Sequence, residues 1–336
     1  MTKPINKDEL LDYVSRALKV SRASRRDDDW RAEIITRSPL INERLHQAEV
    51  IAGNSTRVLL RGPSGAGKGL FALAMHRVSK ERHGPFLSVG CSAIDEESLA
   101  AELFGHGTTP GHFQNASGGI LLLNEIGDLP MSLQVRLLRV FEEKAVHPLG
   151  GNDAVPVDVR VFATTNQDLP ARLIDGEFRD DLYYRLIEAT LDVPALSEHR
   201  EDIPVLANHF LRKAMQEMGR DKMVYAPEAI ELMMGAPWPG NVRELANTVK
   251  RHVSVCQAPV ISAAVVQDCL GQQSEQLMSF AEARDEFIRS YLVQLLTMTR
   301  GNVSKAARMA KRNRTDFYKL LARHDLDPDV FKHARQ

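Results

Sequence analysis

The chain alternates short apolar runs with longer segments in which apolar residues recur every third or fourth position. The short runs are "TRVLLRG", "PFLSVG", "GILLLNE" and "VRVFATTN". Between them lie "GLFALAMHRVSK" and "SLQVRLLRVFEEK", which carry the period of helices that bury one face. Strands alternating with helices predict a parallel, wound α/β domain. After Pro194 the strand signal fades, and residues 202–256 read as helices broken at "APWPGN". "QQSEQLMS" is polar enough for a linker, and the last 58 residues read as helices again. At the front, Leu10, Leu11, Val14 and Leu18 of "KDELLDYVSRALK" stand at helical spacing, and the charged "VSRASRRDDDWR" reads as a link.

Length and composition narrow the class. A chain of 336 residues accommodates two or three domains, and 43% hydrophobic with 26% charged residues is an ordinary globular balance. Net charge is −1, so the chain as a whole is no polycation. No apolar run approaches the roughly 20 residues of a membrane helix, and "MTKPINKDELLDY" lacks the apolar core of a secretory signal. Cys91, Cys256 and Cys269 form no CxxC pair. That pattern argues against a disulfide framework or a zinc site and for a reducing cytoplasm, with no membrane partner.

The strand "RVLL" runs directly into "RGPSGAGKGL". Gly62, Gly67 and Lys68 satisfy the first part of the phosphate-loop pattern, with a strand before it and a helix after it. Glycines let backbone N–H groups face inward onto phosphate oxygens, and the helix start adds its positive end. The expected loop is Gly62, Pro63, Ser64, Gly65, Ala66, Gly67, Lys68 and Gly69, with Lys68 reaching the terminal phosphates. Gly69 stands where a Ser or Thr would supply a hydroxyl to magnesium. The second strand, "GGILLLNEIGDLP", ends in Asn124 and Glu125, where the usual metal ligand is an Asp. An amide brings no negative charge to a divalent cation. Glu125 sits where a carboxylate orients or deprotonates the attacking water. The expected ligand is therefore a nucleotide phosphate, which the resemblance described next makes that of ATP or ADP, with Mg2+ weakly held and no certain metal ligand.

"ELFGH", "GGILLLNEIGDLP", "LQVRLLRVFEEK", "PLGG", "DVRVFATTNQDL", "GEFRDDLYYRL" and "PWPGNVREL" together resemble the AAA+ domain of the sigma-54-dependent transcription activators, the bacterial enhancer-binding proteins, over roughly residues 33–258. The tail "GNVSKAARMAKRNRTDFYKLLARHDLD" is similar to the Fis-type helix-turn-helix that closes those proteins. "TKP" followed by "KDELLDYVSRALK" is similar to the last strand and helix of a receiver domain, with Lys3 as the lysine near its phosphorylation site. The resemblance implies an AAA+ P-loop domain with a parallel sheet and an α-helical lid, then an all-α helix-turn-helix domain. The expected divisions are 1–24, a receiver-like remnant and linker; 25–195, the nucleotide-binding α/β subdomain; 196–258, the lid; 259–278, a linker; and 279–336, the DNA-binding domain. It further implies ATP-driven rings that remodel sigma-54 RNA polymerase. Asn166 matches the sensor asparagine, Arg179 and Arg185 the arginine fingers, and Arg243 the sensor arginine of the lid.

Four departures stand against that pattern. The sigma-54-contacting GAFTGA loop is missing, and six residues separate His106 from Phe113. Asn124 replaces the Asp, Gly90 replaces the asparagine that gates the catalytic Glu, and Gly69 replaces a Glu. Most of the receiver, including its phospho-acceptor, is absent from this sequence.

The tail is locally basic, with eight Lys or Arg against Asp316 alone between Arg300 and Arg323. A second helix that enters the major groove N-terminus first makes Arg312, Asn313, Arg314, Thr315, Tyr318 and Lys319 the expected DNA contacts. Arg and Asn suit base edges, while Lys319 suits phosphate. The expected function is a DNA-binding transcription regulator whose AAA+ module binds nucleotide, hydrolyses it weakly or not at all, and does not drive sigma-54. The alternative is a working sigma-54-dependent ATPase. Expected partners are double-stranded operator or enhancer DNA, RNA polymerase of undetermined sigma form, and further copies of the chain, as a dimer and as an AAA+ ring.

Overall fold

A computed structural model describes residues 29–271 apart from 55, 93, 94 and 152, and in the tail 288, 291–293, 295–299, 301–310, 312–323, 326 and 328. The receiver-like segment and the "QQSEQLMS" linker lie outside the described residues.

The α/β part opens with α1 (Pro39–Ala52), β1 (Val58–Arg61), α2 (Lys68–Val78), β2 (Phe86–Gly90), α3 (Glu96–Phe104), the short α4 (His112–Asn115) and β3 (Ile120–Asn124). It continues with α5 (Met131–Glu143), the hairpin β4 (Ala145–Val146) and β5 (Val155–Pro156), β6 (Arg160–Thr165), α6 (Leu169–Ile174), α7 (Asp180–Leu186) and β7 (Ala189–Asp192). Five strands form one parallel sheet in the order β2-β3-β6-β1-β7. Residues 120–123 of β3 and all of β6 are buried, as strands covered by helices on both faces must be. One face carries Leu99, Leu103, Phe104, Leu121, Leu123 and Leu137; the other carries Leu45, Leu60, Phe71, Met75, Leu122 and Phe162. In α5, Leu133, Leu137 and Val140 are buried while Ser132, Val135 and Arg136 face outward. That is the i, i+4, i+7 stripe expected from the sequence.

Where the sequence lacks its long loop, the chain makes a tight turn. His106 bridges both Thr109 and Leu149. Gly107 N donates to Leu149 O (2.8 Å) and Leu149 N to Gly105 O (2.9 Å), so 105–109 is zipped to the "PLGG" segment. Gly107 takes a left-handed φ of 56°.

The lid comprises α8 (Ile203–Met218), β8 (Val224–Tyr225), α9 (Pro227–Gly235), α10 (Asn241–Val255), β9 (Val260–Ile261) and α11 (Ala263–Gly271). The sequence reading ends the lid at 258 and starts a linker at 259. The structure continues regular elements there: β9 pairs with β8, and Ile261, Val266 and Cys269 are buried. A two-residue strand and a nine-residue helix carry too few apolar positions to stand out from a linker by periodicity.

The chain divides into two compact units, 1–269 and 270–336. Within the second, α12 (Val303–Met309) and α13 (Arg314–Arg323) share a core of Leu292, Leu295, Leu296, Val303, Ala306, Ala307, Phe317 and Leu321. Asn302 caps α12 by accepting a hydrogen bond from Lys305 N (3.1 Å). No helix among the described residues is long and apolar enough to cross a membrane.

Candidate nucleotide site and the tail helices

The carboxyl edge of the parallel sheet gathers the candidate chemistry, as open α/β sheets do. β1 passes straight into the glycine-rich loop. Gly62 N donates to Thr165 O (3.2 Å), and a Cβ on Gly62 would lie 2.3 Å from Val193 O. Gly65 holds φ +75°, and a Cβ there would lie 2.2 Å from Gly240 O at the start of α10. Gly67 adopts φ +101° and caps α2. Among the described residues, the Gly65 and Gly67 amides donate no hydrogen bond. With the start of α2 beside them, they form a cradle of donors of the kind that suits an anion. Pro63 is half-buried, Ser64 exposed and Ala66 buried, while Gly69 is exposed with open space around its Cα.

Lys68 is 6% exposed and folds back into this cradle. Its Nζ donates to Gly62 O (2.8 Å) and Pro63 O (3.3 Å) and stands 3.1 Å from Glu125 Oε1. Glu125 has φ 54° and ψ 58°, a left-handed conformation costly for a residue with a Cβ. Its N–H donates to Thr164 Oγ1 (3.1 Å), and its Oε2 accepts from the Asn166 amide (2.9 Å). The main chain of Asn166 makes this contact, not the side chain. Gly90, the register partner of Asn124, adds no side chain here. Cys91 lies close by; burial, then the charges of Asp128 and Glu125, push its thiol up to about 12, so it stays protonated.

Asn124 is held from both sides. Its Nδ2 donates to Ser88 Oγ on β2 (2.6 Å), and its Oδ1 accepts from Thr164 Oγ1 on β6 (3.4 Å). The nearby carboxylates are engaged as well, Glu125 with Lys68 and Asp128 with Gln167 Nε2 (2.6 Å). Among the described residues no group of three or more His, Cys, Asp or Glu could hold a metal. Magnesium takes carboxylate and hydroxyl oxygens beside phosphate. A tied amide at 124 and a bare glycine at 69 fit that cation poorly.

The lid closes over the loop. Arg243 N donates to Gly65 O (3.3 Å) and Arg243 Nη1 to Ser64 Oγ (3.2 Å). Asn241, 3% exposed and at φ 52°, donates to Ser64 O (2.9 Å) and accepts from Leu196 N (2.8 Å). The structure thus joins Lys68, Glu125, Asn166 and Arg243 through direct contacts around one loop, with Asn124 linked to Glu125 through Thr164. Ser88, Thr164 and Asn241 belong to the same cluster, and sequence reasoning missed them. Asn241 lies inside the quoted "PGNVREL"; Ser88 and Thr164 carry no local signal.

Arg179 and Arg185 engage groups elsewhere in the chain. Arg179 Nε and Nη2 pair with both oxygens of Asp181 (2.9 and 2.6 Å), and its N–H donates to Gln134 Oε1 (2.8 Å). The guanidinium holds the Asp181 carboxyl below its usual range. Arg185 lies 3.6 Å from Glu142 on α5. In the second unit Arg312, Asn313, Tyr318 and Lys319 are exposed. Arg312 and Asn313 precede α13, which Arg314 and Thr315 open; the side chains of those two lie outside the described residues.

Comparison with known proteins agrees with this geometry. The family described as Sigma-54 interaction domain matches residues 34–192, and the AAA+ ATPase lid domain matches 197–282. The lid match runs past 258, as the described elements do. The chain is 46% identical to the transcriptional regulatory protein GlrR of Escherichia coli (strain K12) over 341 residues, covering 99% of this chain and 77% of that protein. It is 33% identical to the DNA-binding transcriptional regulator NtrC of Rhizobium meliloti (strain 1021) over 384 residues, covering 100% of this chain and 79% of NtrC. The crystal structure of NtrX from Brucella abortus in complex with ADP superposes with a TM-score of 0.68 at 31% identity, over 97% of this chain and 77% of that one. The same protein in complex with ATP gives 0.68 at 32% identity, over the same shares of the two chains. A parallel sheet ending in a phosphate loop, a helical lid resting on that loop, and these relatives together show that the chain belongs to the sigma-54 activator family of bacterial transcription regulators.

Proposed function

We infer that the chain is a DNA-binding transcription regulator whose AAA+ module binds ATP or ADP with little dependence on a divalent cation and hydrolyses it weakly or not at all. The observation that carries this reading is Asn124, neutral and bonded to Ser88 and Thr164 where a metal-binding carboxylate would stand. Lys68, the Gly65 and Gly67 amides, Ser64 and Arg243 would hold the phosphates. Glu125, held by the Asn166 main-chain N–H, would be the group that orients water. The zipped turn at 105–109 replaces the loop with which relatives of this kind grip sigma-54, so regulation proceeds by occupying DNA or by contacting another polymerase form. In the tail, Arg312, Asn313, Arg314, Thr315, Tyr318 and Lys319 would read the duplex, as a dimer because one recognition helix covers too few base pairs.

The test combines three measurements on the full chain. A fluorescent ATP analogue should bind, and Lys68→Ala should weaken it. Steady-state hydrolysis should stay far below that of a competent family member. Transcription from the target promoter should respond to the protein in cells lacking sigma-54. A second reading, the sigma-54 motor, is favoured by the intact Lys68, Glu125 and Asn166 contacts and by the identity to GlrR. Open-complex formation at a sigma-54 promoter with purified protein and ATP would establish it and overturn the first.

A further inference from the structure

Residues 34–38 lead the chain into α1. Ile34 packs against the α/β core, but the polar groups that follow turn toward the lid. They converge on Asp202, 1% exposed, just before α8. Asp202 Oδ1 accepts from Arg37 N (2.5 Å) and Ser38 N (3.0 Å). Oδ2 accepts from Thr36 Oγ1 (2.6 Å) and from His199 Nδ1 (3.0 Å). A carboxylate only accepts, so His199 carries its hydrogen on Nδ1. Thr36 Oγ1 also accepts from Ser38 N (3.0 Å), which stiffens the segment. Four donors on a buried carboxylate make a strong fastening, since each bond to a charged acceptor exceeds a neutral one.

The lid is therefore attached at two separated points. Its foot is fixed to the lead-in segment through Asp202. The start of α10 is fixed to the phosphate loop through Asn241 and Arg243, which touch Ser64 and Gly65. Helices α8 and α10 pack against each other between the two points. A packed helical body tilts as a unit, because close-packed interiors do not deform smoothly.

We propose that Asp202 is a positioning residue for the nucleotide site. By tying the lid's foot to Thr36, Arg37 and Ser38 it sets the lid's inclination, and that inclination decides whether Asn241 and Arg243 reach the phosphate loop. A displacement of the lead-in segment is thereby felt at Ser64 and Gly65 without touching them. This rests on the reading of 62–69 as a nucleotide loop.

The experiment uses the full chain, methylanthraniloyl-ADP as probe, and hydrogen exchange of the 62–69 amides without nucleotide. Thr36→Val removes the bond its hydroxyl donates to Asp202 and the one it accepts from Ser38 N, and leaves Asp202, His199 and the lid unchanged. It should weaken probe binding by about five- to tenfold, the span of one charged hydrogen bond expressed through coupling. It should also accelerate exchange at 62–69 while the amides of β3 and β6 stay protected. Thr36→Ser, which restores the hydroxyl, should restore both. In an Asn241→Ala/Arg243→Ala background Thr36→Val should add little, because both side-chain contacts it acts through are then gone. A purely structural role predicts the same loss in both backgrounds and faster exchange in β3 and β6; that result, or no loss at all, overturns the proposal. Exchange reads the lid without nucleotide. A chain that failed to bind the probe would therefore overturn the loop reading, and exchange at 62–69 alone would decide the role of Asp202.

Discussion

Lys68 Nζ and Glu125 Oε1 lie 3.1 Å apart, and the same ammonium donates to Gly62 O. Before any ligand arrives, the lysine that would receive phosphate is neutralised by the carboxylate that would activate water. Phosphate must therefore displace Glu125 from Lys68. Glu125→Gln should tighten binding of methylanthraniloyl-ADP by about five- to tenfold, on the order of 1 kcal/mol. Lys68→Ala should lose most of it. Fluorescence titration checks both, and weaker binding by Glu125→Gln would mean that the pair does not compete with the ligand.

Asn124→Asp tests the neutral amide. The Ser88 hydroxyl can turn to donate to a carboxylate at 124, so the variant fits its surroundings. Magnesium should tighten ADP binding in the variant by about tenfold or more, and in the parent the ratio with and without EDTA should stay near one. Hydrolysis should rise in the variant. Calorimetric titration and a phosphate-release assay read the two effects.

Gly65→Ala addresses the contact between lid and loop. Its Cβ would need φ +75° and would meet Gly240 O at 2.2 Å. The lid must withdraw, and Arg243 loses Ser64. Nucleotide affinity should fall at least about tenfold while the circular dichroism of the α/β core is retained. Unchanged affinity would show that the lid does not need this approach.

The lid core predicts a pH dependence. His252 is fully buried, its ring bonds among the described residues only through Nδ1, to Tyr225 OH (2.9 Å), and burial pushes its pKa down to about 4 from the ordinary 6.5. Above pH 6.5 neither state binds the proton and the contribution is nil. As pH falls from 6.5 to 4 only the unfolded chain takes it up, so stability should drop by roughly 3 kcal/mol across that window. The double variant Tyr225→Phe/His252→Leu replaces both partners by apolar groups and should flatten the slope. Urea midpoints between pH 7 and pH 4 measure it.

Much of this arrangement was legible in the residues. The runs at 58–61, 120–124 and 160–165 declare themselves as buried strands, and "GPSGAGK" between a strand and a helix declares the phosphate loop. What was not legible depends on distant pairing. Ser88 and Asn124 are 36 residues apart and meet only because β2 lies beside β3. Thr36 and Asp202 are 166 apart. No periodicity reports such a contact. Asn241 escaped notice for another reason: an asparagine after Pro-Gly reads as turn chemistry, and its left-handed φ agrees, yet its side chain also ties Ser64 to Leu196.

The zipped turn at 105–109 makes the chain a recipient for grafting. Gly107 has open space around it, Thr108 is exposed, and backbone bonds pin Gly105 and Gly107 to Leu149 on one flank and Thr109 to His106 on the other. An insertion between Gly107 and Thr108 would keep those anchors, and each doubling of loop length costs only about 0.6 kcal/mol of closure entropy. A relative's longer loop transplanted there would hang from the rim that already carries the turn. Gain of sigma-54 contact in such a chimera would test the loop apart from position 124, since Asn124 would stay as it is.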